Sequence, residues 1–162
     1  MTRSRTYTWE EPSGPVRAAA SMSGLEVMRA LLVGELPPPP MLQTVGGQLA
    51  EVEAGRVVFT IKAAEYMYNP LGTVHGGLFA TVLDSACGCA VQTRLDAGVG
   101  YTSLDLSVKF LRAMTAESGD VRCVGTVTHV GRRTALAEAR MTDEDDRLLA
   151  TATSSCLIFG KP

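Results

Sequence analysis

The spacing of hydrophobic residues changes along the chain. In residues 23–36 they recur every three or four positions, which predicts a short amphipathic helix with Ser21 or Ser23 as its cap. Four consecutive prolines, residues 37–40, are expected to end this helix, because proline lacks the N–H donor that a continuing helix needs. Over residues 42–63 hydrophobic and polar residues alternate around one glycine-containing turn, which predicts two strands.

The rest of the pattern predicts one long helix and then a series of strands. The helix runs from His75 to about Leu95 and carries a hydrophobic stripe on one side. Four alternating segments follow it: residues 101–114, 119–131, 132–145 and 146–159. A helix of about 20 residues is about 30 Å long, and a sheet of five or six strands is about 25 Å wide. The helix can therefore lie along the concave face of one curved antiparallel sheet, which is an α+β arrangement with a single core.

Composition narrows the choice of partners and location. The chain has 162 residues, of which 46% are hydrophobic and 20% charged, and its net charge is -2. These values predict one folded domain, residues 23–162, after a polar N-terminal tail, residues 1–22. No broad basic surface is expected, so nucleic acid is not an expected partner. No hydrophobic run approaches the roughly 20 residues of a membrane span, and the first residues lack the apolar core of a secretory signal, so we expect a cytoplasmic protein without a membrane partner.

Four cysteines raise the question of a disulfide or a metal site. Cys87 and Cys89 are two residues apart in a helical pattern and so point to different sides, whereas Cys123 and Cys156 stand singly in predicted strands. The chain has only two histidines, and no ligand pair has a zinc-type spacing. We therefore expect four reduced, packed cysteines, no bound metal and no cofactor.

The segment NPLGTVHGGLFATVLDSACG, residues 69–88, carries the candidate chemistry. On a helical wheel a strip of small residues surrounds one carboxylate: Gly77, Ala80, Thr81, Asp84 and Gly88. The first N–H groups of a helix lack intrahelical partners and carry partial positive charge. Around Gly76 and Gly77 no side chain would hinder those N–H groups from meeting a carbonyl oxygen that becomes negative during a reaction, which is the geometry of an oxyanion hole.

The spacing of Gly76 and Asp84 predicts a site shared by two subunits. The two residues lie eight positions apart, which is about 12 Å along a helix. One carbonyl group cannot meet both within a single helix. We therefore expect Asp84 to act on a carbonyl that is held by the helix N-terminus of another subunit, and a two-fold partner would also cover the exposed edge of the sheet.

Each of these residues also has a purely structural interpretation. A Gly-Gly helix start is often a packing feature, and an Asp in the middle of a helix is more often solvated than catalytic. His75 could equally be a helix cap. Asn69 is a common turn residue that hydrogen-bonds its own backbone. The pattern alone leaves both interpretations open.

The motif N-x-x-G-x-x-HGG-x-x-x-x-x-x-D, met here from Asn69 to Asp84, resembles that of the hotdog-fold acyl-CoA thioesterases. The resemblance is to the branch that includes the phenylacetate-pathway thioesterases and the human thioesterase superfamily members. It extends from about Leu42 to Phe159 and includes SLDLSVKFLRAM and HVGRRTALAEARM. It implies a hotdog fold, with one long central helix wrapped by a curved antiparallel sheet of five to six strands, and a homodimer or dimer of dimers that hydrolyses acyl-CoA.

The resemblance also implies a role for each residue of the motif. Gly76 would donate its N–H to the thioester oxygen, and Asp84 would activate water or attack directly. Asn69 would position the water or the thioester, and His75 would orient the neighbouring loop. In the family a serine after the helix assists; Ser103 occupies the matching place, but one extra residue before it makes Thr102 a competitor.

Two further points follow from the residues themselves. Gly77 is expected to contribute to substrate binding beside Gly76. Arg132 and Arg133 stand at a predicted strand turn. They could pair with the phosphates of CoA, because arginine suits bidentate phosphate contacts. An exposed basic turn without that role is the alternative for the two arginines.

Two other functions remain as alternatives to hydrolysis. An acyl-thioester hydratase or dehydratase would need a proton relay from a paired His and acid, and the loop NPLGTVHGG lacks the proline-rich entrance GHFPGHP of the carrier-protein dehydratases. A non-catalytic acyl-CoA binding module would keep the tunnel and the arginines but lose the acid, whereas Asp84 is present. The presence of that carboxylate favours the hydrolase.

Overall fold

The structure is a computed structural model that describes residues 1–18 and 20–160. These described residues form four α-helices and seven strands. The helices are α1 (Ser13–Ala18), α2 (Gly24–Leu32), α3 (Pro40–Val45) and α4 (Gly76–Gln92). The strands are β1 (Gly47–Glu53), β2 (Arg56–Lys62), β3 (Gly100–Ser103), β4 (Ser107–Phe110), β5 (Asp120–Val130), β6 (Thr134–Thr142) and β7 (Leu148–Phe159). Residues 161 and 162, which belong to the predicted domain, lie outside the described residues.

The strands form one antiparallel sheet in the order β1-β2-β5-β6-β7-β3, and β4 pairs with β7 beyond the end of β3. The sheet therefore has six positions, with the last one shared by β3 and β4. Helix α4 packs against β2, β3, β5, β6 and β7. The predicted architecture of one long helix held by a curved antiparallel sheet is confirmed.

The core lies between α4 and the sheet. Leu83 of α4 is fully buried, and burying such a side chain contributes about 2 kcal/mol. Strand β5 comes unusually close to the helix at Gly125, where a Cβ atom would lie 2.1 Å from the Ala86 carbonyl oxygen. A residue with a side chain at that position would push the helix away from the sheet.

Three local features differ from the pattern-based expectation. Helix α2 ends at Leu32, because Gly34 adopts a left-handed φ of 78° and allows the backbone to turn back onto Ala30. The prolines therefore do not end α2; instead Pro40 begins α3, a position where proline is well tolerated. Helices α1 and α3 were not predicted, since six residues are too few for a periodic signal.

The predicted continuous strand over residues 101–114 is interrupted. Ser103 and Ser107 are four residues apart, whereas their partners on β7, Cys156 and Thr153, are three apart. The extra residue is a β-bulge. It changes which alternate positions face α4, so Ser103 on β3 and Phe110 on β4 both point toward the helix.

Two of the N-terminal elements cover the far edge of the sheet. Helices α2 and α3 pack against β1. In the predicted tail, Arg5 donates to the Thr44 carbonyl oxygen at 2.5 Å and lies over the Tyr66 ring, 4.0 Å from its centre. The boundary at residues 22 and 23 stays a prediction. Among the described residues, no helix is long and apolar enough to span a membrane.

Candidate active site

The structure brings Asp84 and Ser103 together. Asp84 lies halfway along α4 on a half-buried flank, and Ser103 ends β3. The Ser103 hydroxyl donates a hydrogen bond of 2.9 Å to Asp84 Oδ1. Thr102, the competing residue, makes no hydrogen bond to Asp84 within the described chain. Ser103 is therefore the hydroxyl that contacts the carboxylate.

The bulge after Ser103 is held by polar contacts. Asp105 accepts a hydrogen bond from the Ser155 N–H at 3.1 Å and another from the Ser155 hydroxyl. The Ser154 hydroxyl donates to the Asp105 carbonyl oxygen at 2.7 Å. The two bonds from Ser155, first of all the one from its side chain, lower the pKa of Asp105 below its usual value. They fix the register that directs Ser103 toward α4.

The N-terminus of α4 holds the second part of the site. His75 is the N-cap residue, and its Nδ1 accepts a hydrogen bond of 2.9 Å from the Gly77 N–H. An Nδ1 that accepts a bond carries no proton, so the ring proton of the neutral imidazole lies on Nε2. Gly77 therefore does not offer a free donor in this conformation. Among the described residues, the Gly76 N–H has no acceptor.

Gly76 lines an accessible cavity. The cavity has a volume of about 300 Å³. It is lined by Thr73, Val74, Gly76, Phe79, Phe110, Leu111, Arg112 and Ala113. A Cβ atom on Gly76 would lie 3.2 Å from Phe110 Cζ, so the glycine allows the ring of Phe110 to approach the helix start. Phe110 packs edge to face on Phe79, with ring centres 5.7 Å apart.

Asn69 organises the loop before the helix. Its Oδ1 accepts from the Leu71 N–H at 2.9 Å, and its Nδ2 donates to the Thr73 hydroxyl at 3.1 Å. The Asn69 N–H donates to the Thr73 carbonyl oxygen at 2.7 Å. The His75 N–H then bonds the Met67 carbonyl oxygen, which anchors the end of the loop. Within one chain Asn69 shapes the loop and makes no hydrogen bond to Asp84.

Gly76 and Asp84 lie on one uninterrupted helix. At 1.5 Å per residue they are about 12 Å apart along its axis. Each has its own neighbour on the last strand position of the sheet: Phe110 for Gly76 and Ser103 for Asp84. Both parts of the predicted site therefore lie at the same edge of the sheet, but at different positions along the axis of α4.

The two predicted phosphate ligands lie near this edge. Arg132 and Arg133 are exposed in the turn between β5 and β6, and neither forms an ion pair with the described residues. Ala135, two residues after the turn, pairs with Cys156, which pairs in turn with Ser103. Two strand spacings are about 10 Å. The arginine side chains are thus long enough to reach a ligand that also contacts Ser103.

The four cysteines pack in or beside the core. All four are free thiols, and Cys87, Cys123 and Cys156 are fully buried. Burial raises the pKa of Cys87 to about 12, and the negative charge of Asp84 adds to the effect. Within residues 1–18 and 20–160, no three His, Cys, Asp or Glu side chains are placed to hold a metal ion.

The sequence analysis missed one side chain at the site, Tyr101. Its ring lies on Gly88, and a Cβ atom there would be 2.5 Å from the Tyr101 hydroxyl oxygen. Two signals were present in the sequence. Tyr101 stands two residues before Ser103 and so shares its side of the strand, and Gly88 stands one helical turn after Asp84.

A further cavity of about 400 Å³ lies on the opposite flank of α4. Its walls come from α2, the proline segment, α3, β1 and the α4 residues Ser85 and Cys89. The Ser85 hydroxyl bonds the Thr81 carbonyl oxygen of its own helix at 2.8 Å. This cavity is separate from the Asp84–Ser103 pair.

Comparison with known proteins identifies the family. Residues 71–150 match the family model described as the thioesterase superfamily. A 1,4-dihydroxy-2-naphthoyl-CoA hydrolase of Listeria monocytogenes is 26% identical over 119 residues, which are 74% of this chain and 94% of that protein.

Solved structures give the same result. A phenylacetic acid degradation-related protein of Ralstonia eutropha JMP134, described as a candidate thioesterase, is 30% identical; the match covers 80% of this chain and 98% of that chain, with a TM-score of 0.73. The E. coli PaaI protein, 20% identical, matches in fold over 86% of this chain and 97% of that chain, with a TM-score of 0.73. The chain belongs to the thioesterase superfamily and has its hotdog fold.

Proposed function

We propose that this protein hydrolyses acyl-CoA to a free acid and CoA at a site shared by two copies of the chain. One observation carries the proposal. A carboxylate held by a hydroxyl, Asp84 with Ser103, and a helix N–H that has no acceptor among the described residues, that of Gly76, both lie beside the strands of one open edge of the sheet. A reacting carbonyl group needs these two kinds of group on opposite sides.

The chemistry of a thioester suits this small set of groups. Its carbonyl carbon receives little resonance from sulfur, and a thiolate is a good leaving group. One oriented carboxylate and one or two N–H donors therefore suffice, and a Ser-His-Asp triad is not required. Asp84 acts on the thioester carbon directly or through water, while the Gly76 N–H and the helix dipole stabilise the negative oxygen.

The residues around the helix N-terminus support Gly76. The His75 cap takes up the Gly77 N–H and fixes the first turn of α4. Asn69 holds the loop before it in one conformation. These contacts hold Gly76 at the wall of the cavity at the sheet edge, where the proposed substrate carbonyl binds.

A two-fold axis through the open edge would unite the two parts. If β3 and β4 pair antiparallel with the same strands of a second copy about a point between Leu106 and Ser107, position 103 of one copy faces position 110 of the other. Ser103 accompanies Asp84, and Phe110 accompanies Gly76. The arrangement therefore brings the carboxylate of one subunit to the helix N-terminus of the other.

The character of this edge supports a homodimer. Leu104, Phe110 and Leu111 are 58%, 56% and 54% exposed along it. An open strand edge with apolar side chains favours association, whereas the opposite edge of the sheet is covered by α2 and α3. Two such dimers would form the dimer of dimers.

Recognition of CoA is assigned to the basic turn. Arg132 and Arg133 are exposed and lie about two strand spacings from Ser103. Their guanidinium groups suit bidentate contacts with phosphate. The Listeria relative, whose name specifies a CoA thioester, supports CoA as the carrier. No metal and no cofactor enters the proposed reaction, and EDTA is expected to leave the rate unchanged.

A panel of acyl-CoA esters tests the proposal. Purified protein is incubated with acetyl-, hexanoyl-, octanoyl-, phenylacetyl-, benzoyl- and 4-hydroxybenzoyl-CoA, and released thiol is measured with a chromogenic disulfide. We expect enzyme-dependent thiol release from at least one ester, with equimolar acid formed. Formation of a hydrated or dehydrated thioester without released CoA would contradict hydrolysis, and binding without turnover of any ester would favour the non-catalytic module.

A further inference from the structure

Arg5 of the N-terminal tail bridges two elements near the candidate site. Its guanidinium group donates hydrogen bonds to the carbonyl oxygens of Gln43 and Thr44, in the last turn of α3. The last carbonyl groups of a helix lack their usual intrahelical partners, so an arginine is a suitable donor for them. The same group lies over the ring of Tyr66, 4.0 Å from its centre, which is a cation–π contact. Arg5 therefore ties Tyr66 to α3.

The stacked pair of Arg5 and Tyr66 sits directly on the end of α3. A Cβ atom at Gly46, the residue that ends this helix, would lie 2.8 Å from the Tyr66 hydroxyl oxygen and 3.3 Å from Arg5 Nη2. A side chain at residue 46 would therefore push the pair away. The contact between the tail and the domain is closely packed at this point.

Tyr66 belongs to a single turn of 3₁₀-helix, Glu65–Met67. A turn of three residues has little stability of its own, and each of its side chains is held by another part of the chain. Arg3 pairs with Glu65, Arg5 covers Tyr66, and the core surrounds Met67. Two of the three contacts thus come from the N-terminal tail.

The 3₁₀ turn also holds the start of α4. The Met67 carbonyl oxygen accepts a hydrogen bond of 2.8 Å from the His75 N–H. His75 is the N-cap residue of α4, and Gly76 follows it. The position of the Gly76 N–H therefore depends on where the Met67 carbonyl group lies. A continuous series of contacts and peptide bonds leads from Arg5 to Gly76.

We propose that Arg5 is a positioning residue for the Gly76 N–H. The inference rests on the proposed function, in which this N–H stabilises the negative oxygen. Such a donor must already be in place when the reaction begins, because a displacement of about 1 Å can slow a reaction about 100-fold. Arg5 does not touch the substrate; it fixes the turn that anchors the helix start. Arg3 adds less, because its ion pair with Glu65 is exposed to water.

Kinetics of the full-length protein test this role. Values of kcat and KM are measured with the best acyl-CoA of the panel for the wild type, Arg5→Ala and the control Arg17→Ala. Arg17 is an exposed arginine of α1 whose ion pair is with Glu11 of the tail. Arg5→Ala should lower kcat by about fivefold and leave KM nearly constant, since the core still holds Met67. Arg17→Ala should match the wild type. A normal kcat in Arg5→Ala, or a raised KM alone, would overturn the inference.

A double variant tests whether Arg5 acts through the Gly76 N–H. Gly76→Pro removes this N–H, so its position no longer matters. Adding Arg5→Ala to Gly76→Pro should therefore lower the residual kcat by less than about twofold, because the two changes affect one interaction. A further fivefold loss, about as large as in the wild-type background, would show that Arg5 acts independently of Gly76 and would overturn the inference.

Amide hydrogen exchange tests the same contacts without turnover. In Arg5→Ala the His75 N–H should exchange about fivefold faster, because its acceptor is held less firmly, while the amides of β6 and β7 keep their rates. Unchanged exchange at His75 would overturn the inference, as would a uniform increase throughout the sheet. If the wild type releases thiol from no ester, the proposed function fails, whereas exchange at His75 still decides whether Arg5 holds the start of α4.

Discussion

The Ser103 hydroxyl and the Asp84 carboxylate lie 19 residues apart in sequence and 2.9 Å apart in space. The hydrogen bond fixes one carboxylate oxygen, Oδ1, and leaves the other oxygen available for a substrate or a water molecule. The β-bulge after Ser103 makes this contact possible, because it lets the serine and Phe110 face the same helix. The orientation of the carboxylate thus depends on one extra residue in a strand.

Ser103→Ala should slow hydrolysis without abolishing it. A hydrogen bond to a charged group contributes about 1.5–3 kcal/mol, so kcat is expected to fall by about 10- to 100-fold while KM changes little. Thr102→Ala is the matched control, since its neighbouring hydroxyl makes no bond to Asp84, and it should retain wild-type kcat. A larger loss of kcat in Thr102→Ala than in Ser103→Ala would show that Thr102, and not Ser103, supplies the supporting hydroxyl.

The Gly76 N–H can be removed with little disturbance of the helix. Residue 76 is the first helical position, where proline is well tolerated, and His75 before it is already extended, with ψ of 136°. Gly76→Pro deletes the donor, whereas Gly76→Ala keeps it and adds the same Cβ beside Phe110. We expect kcat to fall by about 100-fold in the proline variant relative to the alanine variant. Similar rates in the two variants would exclude this N–H as the oxyanion donor.

Mixed oligomers test whether two subunits share the site. Sedimentation should first show a dimer or tetramer. Asp84→Asn and Gly76→Pro should each be nearly inactive alone. In a mixed dimer one site carries both defects and the other carries neither, so co-refolding equal amounts should restore about a quarter of wild-type activity. Simple mixing without refolding is the control; no gain after co-refolding, or an active monomer, would contradict a shared site.

The basic turn, Arg132 and Arg133, should contribute only to binding of the CoA part of the substrate. Replacing Arg132 and Arg133 with Ala is expected to raise KM for an acyl-CoA by about tenfold or more, because charge-assisted contacts with phosphate are lost. The N-acetylcysteamine thioester of the same acid lacks the nucleotide, and its KM should stay constant. Arg140→Ala, an exposed arginine of β6, serves as control. Equal effects on both substrates would remove the phosphate role.

The sequence predicted the architecture because hydrophobic periods are long and regular in α4 and in β5 to β7. It also placed His75, Gly76 and Asp84 along one helix, since residues close in sequence keep fixed distances in a helix, and put Asn69 in the loop before it. The contacts of Ser103 and Tyr101 could be inferred only in part. Both depend on the register of β3 against β7 and on the direction of a strand toward α4, which are set by tertiary packing.

The bulge explains why the predicted continuous strand over residues 101–114 is interrupted. Alternation from Ser103 to Phe110 predicts that these two residues face opposite sides, and a single inserted residue reverses this. Its position is determined by the contacts of Asp105 with Ser154 and Ser155, about 50 residues further along the chain. Local pattern carries no information about such a pair.

The most direct measurement is kcat for Asp84→Asn with the best acyl-CoA of the panel. Asparagine keeps the size of the side chain and can still accept the Ser103 hydrogen bond, but it cannot act as a base or as a carboxylate nucleophile. The account predicts that kcat falls by about 10²- to 10⁴-fold, while the substrate still binds with a Kd close to that of the wild type. Near-normal turnover by this variant, in a correctly folded oligomer, would contradict the role of Asp84.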